Sequence, residues 1–179
     1  MISILNNARR QAASGGGGPI ANPDFVATWN VAIDGDSVTL PLLSGGTYSG
    51  TIDWGDSSSD SLSYVNRTHT FTTAGTYTIT LSGTIEGFSF NNSGDKLKIH
   101  DVSNWGTLVI TNGQSVFQNC SNLTVSATDA PTLNTTTLKW FMYNCDALTT
   151  EDFSAWDTSN VTIMESTFQN SLLFNANLS

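Results

Sequence analysis

Asp53 and Asp56 flank Trp54-Gly55, and two carboxylates at this spacing suggest paired acid-base groups or a calcium site. Around a tight turn, however, residues i and i+3 cap backbone amides, and that structural role is the expectation for both. Asp34-Gly35-Asp36 is a weaker candidate, because a calcium loop needs roughly six to eight oxygens and only this pair is local. Glu151, Asp152 and Asp157 read as helix-start caps or solvated surface groups. His69 alternates with Phe71, and His100 follows Lys96-Leu97-Lys98-Ile99. Neither histidine has a nucleophile beside it in sequence. Serines abound, but no G-x-S-x-G elbow surrounds any of them. Cys120 and Cys145 are too few for a zinc site without a nearby His. The residue types for chemistry are present without the pattern for it. The expectation is a protein that is not an enzyme, with no catalytic residue, cofactor or metal.

What positions these residues is a repeat. Phe90-Asn91-Asn92-Ser93, Phe117-Gln118-Asn119-Cys120, Met142-Tyr143-Asn144-Cys145 and Phe168-Gln169-Asn170-Ser171 begin at 90, 117, 142 and 168, steps of 27, 25 and 26 residues. A second apolar anchor follows at Leu97, Leu123, Leu148 and Leu173 or Phe174. Ahead of the last three copies lie Trp105, Ala130 and Trp156, each with Thr two residues on. A fixed period in this range marks a solenoid whose units bury their apolar faces against neighbours. Val161, Ile163, Met164 and Phe168 fall at helical offsets behind a Ser159 or Asn160 cap, and Leu123-Thr124-Val125 alternates like a strand. Each repeat is therefore expected to be a short strand with one or two helical turns. Cys120 and Cys145 are equivalent in successive repeats. Strand stacking at about 4.7–4.9 Å would permit a disulfide, while the Ser at the outer repeats points to a small buried position with reduced thiols.

The 179 residues are 39% hydrophobic, enough for one or two small cores. Six basic side chains against fifteen acidic ones give a net charge of −9, and only 12% of residues are charged, where about a quarter is usual. A Thr-, Ser- and Asn-rich surface suits an extracellular or virion-exposed β protein. No Lys/Arg cluster exists to neutralise phosphates, so nucleic acid is not an expected partner. No run approaches the roughly 18 apolar residues of a membrane span, so membrane insertion is not expected. The first ten residues lack a signal-peptide core. An exposed-type surface without a visible export signal is explained if the protein leaves the cell in an assembled particle.

Residues 1–23 read as a separate unit, joined by the linker Gly15-Gly16-Gly17-Gly18-Pro19. Arg9 and Arg10 make it cationic, leaving four basic against fifteen acidic groups, −11, in the remainder. Ile4, Leu5 and Ala8 could share one face of a two-turn helix behind a Ser3 cap, which is marginal without a partner. Ile4, Leu5, Arg9 and Arg10 are the expected docking residues, with a neighbouring subunit or another virion protein as partner.

Phe25 to Val31, Ser37 to Leu43 and Tyr48 to Trp54 read as strands separated by turns at Asp34-Gly35-Asp36 and Ser44-Gly45-Gly46. In Tyr77-Thr78-Ile79-Thr80-Leu81 the odd positions should face inward. Short strands with turns between them fit an immunoglobulin-like β-sandwich over 24–89. Of the five tryptophans, Trp105 and Trp156 share one repeat position and are expected in the core. Trp140, beside Phe141 and outside that phase, is the candidate ligand surface, for example for a glycan.

Ile52-Asp53-Trp54-Gly55-Asp56-Ser57, Thr68-His69-Thr70-Phe71 and Ala74-Gly75-Thr76-Tyr77-Thr78-Ile79 resemble the polycystic-kidney-disease-type (PKD) domain, with its W-G-D-G, H-T-[FY] and G-x-Y-x-[VI] motifs in order. Ser57 stands where that family has Gly. The stretch Phe88 to Lys96, Trp105-Gly106, Cys120-Ser121-Asn122-Leu123 and Phe153-Ser154-Ala155-Trp156-Asp157-Thr158-Ser159-Asn160-Val161-Thr162 resembles BspA-like leucine-rich-repeat surface proteins. The two resemblances imply an immunoglobulin-like module at 24–89 followed by a leucine-rich-repeat-like solenoid at 90–179, used in adhesion without catalysis.

The resulting expectation is a mainly β structural protein of a bacteriophage particle, a capsid decoration or tail-appendage subunit, oligomeric within its assembly and docked through residues 1–23. The alternatives are a bacterial cell-surface adhesin and a carbohydrate-binding module.

Overall fold

In the computed structural model, residues 24–149 and 153–175 are described. The expected docking residues Ile4, Leu5, Arg9 and Arg10 lie outside them, as do Glu151 and Asp152. The described residues form ten strands and no helix, a mainly β protein.

Strand β1 (Phe25–Val31) alternates strictly, burying Phe25, Ala27, Trp29 and Val31, as a strand with one face on a core must. It pairs antiparallel with β6 (Gly75–Phe88) from Phe25↔Leu81 to Val31↔Gly75, and on its other edge with β7 (Ile99–Asn104). Ile79 and Leu81 are fully buried and Tyr77 half-buried, with Thr78 and Thr80 on the opposite face, as their alternation predicts. Strand β3 (Leu42–Asp53) pairs antiparallel with β6 and with β4 (Ser59–Ser61). The short strands β2 (Ser37–Thr39) and β5 (Thr68–Thr70) make a separate two-stranded sheet.

Ser44-Gly45-Gly46 is not the turn its composition suggests. It lies within β3, where the register jumps from Leu42↔Phe88 to Thr47↔Glu86. The bulge wraps the Tyr48 hydroxyl, which accepts the Leu43 N–H at 2.8 Å. A Cβ at Gly46 would come within 2.1 Å of that hydroxyl. Glycine here makes a bulge rather than a reversal. Further along, Gly50 (φ 124°) faces Gly83 (φ 107°), and a Cβ on Gly83 would stand 2.2 Å from the Ser49 carbonyl oxygen.

The sheet continues without a break into the repeats. β8 (Leu108–Ile110) pairs parallel with β6, β10 (Thr132–Leu133) with β8, and β9 (Thr124–Val125) with β7. The motif segments stack as coils joined by backbone hydrogen bonds. The N–H groups of Ser115, Phe117 and Asn119 donate to the carbonyls of Lys139, Phe141 and Tyr143. Those of Leu138, Trp140, Met142 and Asn144 donate to Ile163, Glu165, Thr167 and Gln169.

This ladder explains why the expected helical turns are absent. A helix needs every N–H directed four residues back along its own chain. In the coils, alternate N–H groups leave for the next coil, while Phe141 and Tyr143 close three-residue turns onto Leu138 and Trp140. Left-handed backbone recurs every fourth residue, at Ser115 and Asn119, Trp140 and Asn144, Ser166 and Asn170. That recurrence mimics a helical apolar period: Ile163 and Met164, expected on a buried helical face, are exposed.

One core runs through both regions. Phe117 packs on Phe88, Phe90, Trp105 and Phe141 at ring-centroid distances of 5.8, 6.1, 5.8 and 5.6 Å. Trp105 is buried, as its repeat position predicts, and meets Trp156 edge-on at 5.3 Å; Trp156, expected in the core as well, packs against it but is only half-buried. Leu123 and Leu148 are buried anchors. Phe174, stacked on Phe168 at 4.3 Å, fills that place in the last repeat while Leu173 faces out. In the first repeat Leu97 is exposed and Ile99 is the buried residue, because extra residues after Ser93 shift the anchor.

Candidate functional site

The Asp53–Asp56 turn is built for structure. Oδ1 of Asp53 accepts the Gly55 N–H at 2.9 Å, and Oδ1 of Asp56 accepts the Ser58 N–H at 2.9 Å. Oδ2 of Asp56 accepts from Nε2 of His69 at 2.8 Å. The His69 ring stacks on Trp54 at 4.9 Å and meets Phe71 edge-on at 4.7 Å. The Trp54 indole N–H donates to Asp60 at 2.9 Å. Partial burial opposes ionisation of Asp56, but the hydrogen bonds from the Ser58 hydroxyl, His69 and the Ser58 amide outweigh it and hold the carboxyl at about 2. Ser57, in the position that favours Gly, takes φ 75°, so the turn keeps a glycine-like conformation without glycine.

The other carboxylates are engaged as well. Asp34 accepts the Ala74 N–H at 2.7 Å. Lys98 reaches Asp36 at 2.9 Å and Asp95 at 3.2 Å, tying the β1–β2 turn to the first repeat. Asp129 accepts the N–H groups of Trp105 and Gly106, and Asp101 binds Thr124 and Ser126. Among the described residues no three His, Cys, Asp or Glu side chains gather as a metal would require.

The repeat Asn residues form a ladder along the stack. Nδ2 of Asn119 donates to Oδ1 of Asn92 at 2.6 Å, Nδ2 of Asn144 donates to Oδ1 of Asn119 at 2.7 Å, and Asn170 donates to the Tyr143 hydroxyl at 3.0 Å. Beneath it Cys120 and Cys145 are free, buried thiols. The Cys145 thiol donates to the Phe117 carbonyl at 3.1 Å. Burial pushes both thiols up, Cys145 to about 12.

Trp140 is half-buried, with φ 55°. It is in repeat phase after all: Ser115 and Ser166, one coil away on either side, share its left-handed backbone. The Lys139 ammonium lies 4.4 Å from its ring centroid and is paired with Glu165 at 2.8 Å. The repeat sets this left-handed backbone, which is more costly for a tryptophan than for the serines equivalent to it.

A second candidate surface, with no counterpart in the sequence reading, is the face of the last coil. Ile163, Met164, Leu172 and Leu173 are exposed there, Leu172 at 84%. Of these, Met164 also lines a cavity of about 340 Å³ between this coil and the one before it, with Phe141, Phe153, Trp156 and Phe168 among the other walls.

A family model described as "Mycoplasma protein of unknown function, DUF285" matches residues 86–179, 94 of the 179 residues and so the whole of the repeat array. No curated protein and no solved structure matches the chain.

Proposed function

Because the chain belongs to the DUF285 family, whose description assigns no activity, we propose a function from its surfaces: a non-enzymatic structural subunit of a virion, either a capsid decoration or a tail appendage. In this reading residues 24–89 are a PKD-like sandwich and residues 90–179 a leucine-rich-repeat-like solenoid, and the β-rich body faces outward for attachment. Ile4, Leu5, Arg9 and Arg10 anchor it to other virion proteins or to copies of itself. The observation that carries the reading is how the polar groups are used. The carboxylates of Asp34, Asp36, Asp53, Asp56, Asp101 and Asp129 all accept hydrogen bonds that fix turns or join repeats. Each of them holds backbone in place, which suits a surface scaffold.

Co-sedimentation tests it. Protein with and without residues 1–23 is spun with phage particles lacking it and with host cell envelopes. Particle binding that needs residues 1–23 is expected. Envelope binding that survives their removal would replace the virion reading by a cell-surface adhesin.

The strained Trp140 favours a second reading, a glycan-binding surface. It requires saturable binding to a glycan array that Trp140→Ala abolishes, and equal binding by that variant would remove it.

A further inference from the structure

Asn112 is the one asparagine of the chain that glycine follows; after every other comes a residue with a side chain. Asn112-Gly113 connects β8 to the coil of Phe117, with Asn112 exposed and Gly113 buried. The glycine is fixed by packing. A Cβ at position 113 would stand 2.0 Å from the Thr137 carbonyl oxygen of the next coil, and that oxygen is backbone. Any side chain here would push the two coils apart.

The bonds around this pair favour one reaction. Oδ1 of Asn112 accepts the N–H of Gln114, two residues on, at 3.1 Å, an Asx turn. Closing that ring folds the side-chain carbonyl carbon back toward the nitrogen of Gly113, and with no side chain at 113 the approach is open. If the nitrogen attacks, negative charge collects on Oδ1, where the Gln114 N–H already donates. The turn thus supplies both the orientation and a donor for the intermediate. The Gly113 N–H itself is held by the Thr135 hydroxyl at a long 3.3 Å, and Thr135 is partly exposed, which gives the proton a way out to water.

We propose that Asn112 is a site of self-modification, converting to isoaspartate and aspartate through a cyclic imide. Base takes the proton of the Gly113 N–H, and the nitrogen bonds to Cγ of Asn112. The bond from Cγ to the side-chain amide breaks, and ammonia leaves with a proton from water. Water then opens the imide. Opening at the backbone carbonyl of residue 112 leaves isoaspartate, in which the main chain runs through the former side chain and is one carbon longer; opening at Cγ leaves aspartate. Neither step needs an oxidant, a reductant or an enzyme. Both products place a carboxylate in the cleft that Asn112 shares with Ser89, Asn91 and Gln114. Isoaspartate also lengthens the backbone where Gly113 is already pressed against Thr137, and so loosens the join between the two coils. The inference goes beyond the virion reading and is independent of it.

The test holds folded protein at mildly alkaline pH, in ordinary and in oxygen-labelled water, and follows its peptides by mass spectrometry. Asn112 should exchange its amide for a labelled carboxyl at least about tenfold faster than any other asparagine, and no more slowly than in urea. Electron-transfer fragmentation should find isoaspartate among the products. Asn112→Gln, which would have to close a larger ring, should melt like wild type and stay unmodified at that position. In converted protein the Ser115 amide, which donates to the Lys139 carbonyl, should exchange faster than in Asn112→Asp. Two results overturn the proposal: Asn112 intact in folded protein under conditions that convert it in urea, which would mean that the fold protects it; or conversion to aspartate alone, which would mean direct hydrolysis without the imide. Equal exchange at Ser115 would overturn the loosening.

Discussion

Replacing Phe117 by Ala removes the ring that joins the first half of the chain to the second. Phe117 is fully buried and makes four aromatic contacts between 5.6 and 6.1 Å, to Phe88 at the end of β6, to Phe90 and Trp105 of the first repeat, and to Phe141 of the coil above. A buried Phe→Ala change costs about 3–5 kcal/mol, and aromatic pairs add roughly 0.5–1.5 kcal/mol each beyond burial. Backbone bonds on both sides, from Phe117 to Phe141 and from Phe90 to Val116, hold the neighbours in place. The cavity therefore cannot collapse, and the upper end, about 5 kcal/mol, is expected. Against a usual stability of roughly 5–15 kcal/mol this is a large loss. At about 2–4 °C per kcal/mol for a chain of this length, the melting temperature should fall by roughly 10–20 °C. Phe117→Leu, which keeps most of the volume, should cost only about 1–1.5 kcal/mol. Urea unfolding followed by tryptophan fluorescence, with amide exchange at Ile79 in β6 and at Phe141, measures both the size and the extent of the effect. If the sheet and the repeats are one cooperative unit, both amides lose protection together. A loss below about 1.5 kcal/mol, or a biphasic curve in which Ile79 keeps its wild-type protection, would refute the shared core.

Asp56, held at about 2 against an ordinary value of 3.8, binds fewer protons folded than unfolded near pH 3. Its contribution is therefore complete above about pH 4 and is lost as pH falls toward 2; after allowance for solvent exposure it is about 1 kcal/mol, and Asp56→Asn should flatten the stability profile in that window. Gly83→Ala forces a side chain to within 2.2 Å of the Ser49 carbonyl at φ 107°, and a loss of about 2–4 kcal/mol in the urea midpoint analysis is expected; under about 0.5 kcal/mol would mean the Gly50–Gly83 pair relaxes freely. Buried and shifted upward, the Cys120 and Cys145 thiols should react with a thiol reagent at pH 8 at least about a thousandfold more slowly folded than in urea. Fast native labelling would show that the coils open.

The parts of the fold that announce themselves in sequence are those whose side chains alternate. β1 and the 77–81 stretch could be read because Phe25, Ala27, Trp29, Ile79 and Leu81 each mark a buried face at period two. The repeat period was equally plain, since the same Asn and small residue recur. Ser44-Gly45-Gly46 misleads because a bulge and a turn draw on the same residues. The helical turns mislead because Met164 and Phe168 are four apart for a reason other than a helix, the left-handed residues Ser166 and Asn170 beside them. Of the candidate surfaces, Trp140 was visible as an isolated aromatic, whereas its repeat phase was not, because Ser115 and Ser166 share only its backbone angle.

The stacking also accounts for part of the composition. Coils joined by backbone bonds place equivalent side chains about one strand spacing apart, so any charge at a repeat position faces its own kind in the next coil. Two like charges about 5 Å apart near a protein surface repel by roughly 3 kcal/mol. Uncharged polar residues escape this, and among them Asn does two things at once. It accepts the left-handed backbone at Asn92, Asn119, Asn144 and Asn170, and it bonds amide to carbonyl along the stack. Gly would satisfy the first requirement only, and Asp would bring the repulsion. Where charge does enter a repeat position the sign alternates: Lys139 and Glu165, each three residues before the motif's apolar residue, pair at 2.8 Å. Stacking thus accounts for uncharged Asn at the ladder positions themselves. A row of Asp in place of the Asn ladder should unstack the coils, and even a single Asn144→Asp, which loses the amide that donates to Oδ1 of Asn119, should cost about 1–3 kcal/mol in urea unfolding.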